Sequence, residues 1–131
     1  MDANHKEVIA KVKQLGAEEA ASLLLSEYSL EDDGYGEVFN IINHRSWPKR
    51  EQIRLADYYL SNIPHSSERA YKVFLGFMSA KAFVNVIKKH VPDSSEKRAL
   101  LAYHLIPLLD QHMKSGNASS EIKDFVTGLH S

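Results

Sequence analysis

The sequence predicts an all-α fold, and three observations carry that prediction. Helix start and stop residues recur about every 15 to 20 positions, the apolar residues between them fall three and four apart, and no stretch alternates apolar and polar side chains as a strand would. The expected architecture is about eight short helices joined by short turns in antiparallel pairs, forming a single α-helical domain over residues 1–131.

The elements follow in order. Asn4, with Glu7 three residues on, reads as a capping box; Val8, Ile9, Val12 and Leu15 follow at helical spacing, and Gly16 ends the first helix. Residues 17–27 are rich in Ala, Leu and Glu, with Ala20, Ala21, Leu24 and Leu25 as the packing stripe. After Gly34 and Gly36, Val38, Phe39, Ile41 and Ile42 start a short third helix that stops near Asn43. Trp47-Pro48 opens a fourth, because proline at the first helical position lacks only an N–H that has no helical acceptor there, and Ile53, Ala56, Tyr59 and Leu60 form its buried face.

Pro64 forces Ile63 out of helical geometry, so residues 62–67 are a break. A fifth helix carries Tyr71, Phe74, Leu75 and Met78 as core. Ser79 caps a sixth, whose last turn holds Lys88, Lys89 and His90 in favourable sense for the helix dipole before Val91-Pro92 closes it. Asp93 with Glu96 repeats the capping-box pattern and opens a longer helix through Leu100, Leu101, Leu105, Leu108 and Leu109 to Lys114, bent at Pro107 and stopped by Gly116. A last helix over residues 120–127 presents Ile122, Phe125 and Val126. Stacked pairs of this kind make either a small superhelix of HEAT or armadillo type or an irregular bundle, and no internal repeat of fixed period is present.

Composition excludes several functions. A chain of 131 residues that is 44% hydrophobic and 25% charged has enough apolar surface for one core. It contains no cysteine, which removes disulfides, zinc-thiolate sites and thiol nucleophiles and suits a reducing compartment. The first residues lack the pattern of a signal peptide, and the densest apolar run, residues 20–25, is too short to span a bilayer, so the expected location is the cytoplasm. A pI near 6.6 argues against direct nucleic-acid binding.

One stretch departs from this plain background. Residues 27–37 hold five carboxylates, Glu27, Glu31, Asp32, Asp33 and Glu37, and two tyrosines, Tyr28 and Tyr35, with no Lys or Arg, in a chain whose formal net charge is only −1. As local structure this is a solvated capping turn before the third helix. As a site it is a partner-binding surface, with tyrosines as anchors and carboxylates steering toward a basic protein. A nuclease cleft, which must attract phosphate, is such a surface.

No other chemical motif is recognisable in the sequence. The seven histidines, His5, His44, His65, His90, His104, His112 and His130, include no pair three or four apart. His104 and His112, with Asp110, are the one arrangement on a single helix that could face one groove. There is no Gly-x-Ser-x-Gly elbow, the Gly34-Tyr-Gly36 loop is too short and too acidic to cradle phosphate, and Asp32-Asp33 in a turn is ordinarily solvated. The expectation is no enzyme activity, no cofactor and no metal. Arg45, Lys49, Arg50 and Arg54 form a basic cluster around Trp47, read as a solvated helix face with Trp47 as a core lid.

The segments Gln52-Ile-Arg-Leu-Ala-Asp-Tyr-Tyr-Leu60, Asn62-Ile-Pro-His65 and Ala70-Tyr-Lys-Val-Phe-Leu-Gly-Phe-Met-Ser79 resemble those of small all-helical immunity proteins of bacterial polymorphic toxin systems, including contact-dependent growth inhibition. The likeness covers about residues 35–92, and its shared elements are core positions that name no contact residue. It implies a non-enzymatic cytoplasmic inhibitor of a cognate toxin. The leading expectation is therefore a stoichiometric immunity protein that uses residues 27–37 against a basic toxin surface. The alternative is a helical adaptor or regulatory scaffold that holds a peptide or helix in a superhelical groove.

Overall fold

The computed structural model describes residues 3–32, 34–63, 68–112 and 120–130. Among them are eight α-helices and no strand: α1 Ala3–Gln14, α2 Ala17–Glu27, α3 Val38–Ile41, α4 Lys49–Tyr59, α5 Arg69–Phe77, α6 Ala80–His90, α7 Ser95–His112 and α8 Ser120–His130. Three 3-10 turns, Tyr35–Glu37, Ile42–His44 and Leu60–Asn62, extend α3 at both ends and α4 at its end. The chain divides into two compact units, residues 1–55 and 56–131, with the boundary inside α4.

In the first unit α1 packs on α2, and α1 also meets the Ile42–His44 turn. Val8 and Val12 of α1, Ala20, Ala21 and Leu24 of α2, and Val38, Ile41 and Ile42 are buried, which is the three-and-four spacing of the sequence turned into a core. Trp47 closes it. The indole is 4% exposed, and its Nε1–H donates to the Ile42 carbonyl at 2.7 Å, so the one polar atom of the ring keeps a partner in the interior.

In the second unit α7 packs on α8, α6 on α8 and on the Leu60–Asn62 turn, and α5 on α6. Tyr59, Tyr71, Phe74, Phe83, Leu101 and Leu105 are fully buried. Ser79 caps α6 as its extended backbone (φ −65°, ψ 147°) allows, its Oγ accepting from the Ala82 N–H at 3.1 Å. Ile63 has the extended geometry that a following proline requires (φ −78°, ψ 149°), while Pro64 itself lies outside the described residues.

Several sequence expectations shift. α1 already includes Asn4, so Asn4 is not its cap. α4 begins one residue after Pro48, whose carbonyl accepts from the Gln52 N–H at 2.9 Å, and Leu55 is buried where Ile53 is only half-buried. Ser94 rather than Asp93 precedes α7, its Oγ 3.4 Å from the Lys97 N–H. α7 is continuous across Pro107 to His112, and the expected stop at Lys114 and Gly116 lies outside the described residues. α8 runs on to His130. Of the leucines of α7, Leu101, Leu105, Leu108 and Leu109 are buried, while Leu100 is 42% exposed beside Tyr103 at 75%. The face read as solvated is not wholly so: Glu51, beside Arg50 in the first turn of α4, is buried, where the positive end of the helix favours a carboxylate.

Candidate partner-binding site

The acidic segment is a chain of closed turns. α2 stops at Glu27 because Tyr28 leaves helical geometry (φ −125°, ψ 59°) while its N–H still donates to the Leu24 carbonyl. Ser29 then organises the next residues: its carbonyl accepts from the Asp32 N–H at 2.9 Å and its Oγ from the Glu31 N–H at 3.2 Å. The Asp32 carbonyl accepts from Tyr35 and the Gly34 carbonyl from Glu37, both at 3.2 Å, which leads into the 3-10 turn before α3. Gly34 has φ −91° and ψ 12°, a backbone open to ordinary residues, so its glycine is not forced by the turn.

This geometry separates the candidate residues. Glu27, Glu31, Asp32 and Glu37 are exposed, and among the described residues no Lys or Arg forms an ion pair with any of them. Glu37 also accepts from the Asn40 Nδ2 at 3.0 Å, placing a carboxylate over the first turn of α3. Tyr35 is half-buried and meets Phe39 edge-on, with ring centroids 6.4 Å apart. Tyr28 is 6% exposed and belongs to the core, because the residue that ends α2 turns inward there. It is not presented to an approaching partner. Asp33 lies outside the described residues.

The basic cluster does structural work. The Arg45 Nη1 donates to the carbonyls of Val12 at 3.1 Å and Leu15 at 2.8 Å, the C-terminal end of α1, and its guanidinium lies 4.9 Å from the Trp47 ring centroid. The Arg54 Nη1 donates to the Glu18 carbonyl at 3.3 Å and its Nη2 to the Ser22 Oγ at 2.9 Å. Lys49 and Arg50 remain exposed. Sequence reasoning missed the role of Arg45, whose acceptors lie 33 and 30 residues earlier in the chain.

Of the histidines, His90 pairs with Asp57 at 2.9 Å, and His104 packs edge-on against the ring of Tyr103. Among the described residues no three His, Asp or Glu side chains are grouped to hold a metal ion, and no helix is long and apolar enough to cross a membrane. No protein-family model matches the sequence, and neither a curated protein nor a solved structure is detectably similar to it.

Proposed function

We propose that this protein is a stoichiometric inhibitor of a cognate toxin, an immunity protein acting in the cytoplasm through residues 27–37 on a basic toxin surface such as a nuclease cleft. The observation that supports the reading is four exposed carboxylates, Glu27 at the end of α2 and Glu31, Asp32 and Glu37 on the hydrogen-bonded turns that follow, with no cation paired to them among the described residues. A turn held by its own backbone keeps these charges in place before binding, so less ordering is required on association. Tyr35, partly open beside Glu37, supplies the aromatic contact.

The charge is also unevenly divided along the chain. Residues 1–55 contain ten acidic and seven basic side chains, a formal −3, whereas residues 56–131 contain seven acidic and nine basic, a formal +2. Steering by such a surface raises the association rate and makes it fall with salt.

The test is capture of the partner from the producing cells on immobilised protein, with Glu31→Lys/Asp32→Lys as parallel bait. The expected result is a basic toxin held by the native chain, released by salt and lost on the variant, together with protection of cells that express the toxin. Equal capture by the variant, or an association rate indifferent to ionic strength, rejects this interface.

A further inference from the structure

In the second unit a cleft of about 320 Å3 opens among the end of α6, the first turn of α7, and α8. Val91, Phe125 and Leu129 give it an apolar wall, and Lys88, Arg98 and Asp124 are its charged lining. Its volume is at the small end of the range for small-molecule sites, which combine an apolar lining with a few placed polar groups.

Arg98 is the informative residue. It stands in the first turn of α7, where the positive end of the helix dipole opposes a cation. It is half-buried, and among the described residues no carboxylate or carbonyl takes its guanidinium. Lys88 and Asp124 are exposed at its rim, and among the described residues neither forms an ion pair with the other or with Arg98. The cleft therefore carries an uncompensated positive charge against an apolar wall. The dipole does not favour Arg98 there and no described side chain neutralises it, so an anion in the cleft would supply the compensating charge.

We infer that this cleft binds a small monocarboxylate with a short apolar tail. The tail lies on Val91, Phe125 and Leu129, and the carboxylate pairs with Arg98, with Lys88 adding a second positive charge. Asp124 repels the carboxylate from its own side and so fixes which way round the ligand sits. The acidic turn belongs to the other unit, so this inference stands or falls separately from the proposed inhibitor function.

The experiment is amide NMR of the full chain titrated with octanoate, with octanol, acetate and a short peptide ending in a leucine carboxylate in parallel. Saturable shifts at Val91, Phe125 and Leu129 are expected with octanoate, and at least tenfold weaker binding with octanol, which lacks the charge, and with acetate, which lacks the tail. Arg98→Gln should weaken octanoate about tenfold, the loss of one charge-assisted pair, and leave octanol unchanged, while Arg98→Lys retains most of the affinity. No saturable shift with octanoate, equal binding of octanol, or an unaltered Arg98→Gln variant would overturn the assignment. Shifts with the peptide alone would overturn it in favour of a chain terminus. Should Arg98→Gln fail to fold, the octanoate and octanol comparison on the native chain still decides.

Discussion

Replacing Arg45 with alanine tests whether a side chain from a loop holds the end of α1. Two bonds from a charged donor to the carbonyls of Val12 and Leu15, at 3.1 and 2.8 Å, contribute about 1.5 kcal/mol each at the lower end for charged groups. The guanidinium over Trp47 adds about 0.5 kcal/mol. Water reaches part of this half-buried site in the variant and restores some of the loss, leaving a net cost of about 2–3 kcal/mol. That is a large share of a typical domain's stability of about 5–15 kcal/mol. Urea unfolding followed by circular dichroism reads it directly, as a fall in midpoint at unchanged slope. Arg45→Lys keeps a charged donor but loses the Nε–H that donates to the Ser46 carbonyl at 3.0 Å and the planar group over Trp47, so it should recover about half of the loss. An alanine variant within about 0.5 kcal/mol of the native chain would show that α1 needs no cap from Arg45.

Trp47→Phe keeps the ring in the core but leaves the buried Ile42 carbonyl without its donor, and should cost about 1–3 kcal/mol in the same denaturation assay. Ser79→Ala removes the side-chain cap of α6 and should cost about 1 kcal/mol, with Ser79→Asp restoring it. Leu105→Ala, at a fully buried position on α7, should cost about 2–5 kcal/mol through lost transfer energy and the cavity left behind, whereas Leu100→Ala on the exposed side of the same helix should cost less than about 1 kcal/mol.

How far the sequence reveals this structure depends on how local the deciding interaction is. α6 is legible to the residue because its cap, Ser79, and its stop, Val91-Pro92, lie within the chain segment that they define. α2 is legible from its composition, Ala, Leu and Glu directly after Gly16, and not from a side-chain cap. α7 is not, since Leu100, Leu101, Leu105, Ile106, Leu108 and Leu109 spread around the helix, and the pattern alone cannot choose the face that α8 covers; the face carrying Leu100 and Tyr103 is the one left open. Arg45 is the opposite extreme: its acceptors lie 33 and 30 residues earlier, and nothing beside it in the chain marks it as a cap. In the acidic segment the composition gives the charge correctly, while the inward turn of Tyr28 follows from where α2 stops and the core begins.

That same division decides which acidic residues give a clean test of binding. Arg45 and Arg54, two of the four cations that follow Glu37 in the first unit, donate to backbone and hydroxyl acceptors on α1 and α2 rather than to its carboxylates, while Lys49 and Arg50 between them stay exposed. The fold therefore uses part of its positive charge on uncharged acceptors, and the exposed carboxylates keep theirs for solvent or a partner. Glu31 and Asp32 hold their turn through backbone N–H groups, which any residue type supplies. Reversing their charge should therefore change association and leave the unfolding midpoint within about 0.5 kcal/mol of native. Glu37 differs, because its carboxylate takes the Asn40 amide and sits against the positive end of α3. Glu37→Lys should lower both affinity and stability, so a loss of binding there has two causes, whereas a loss at Glu31 and Asp32 has one.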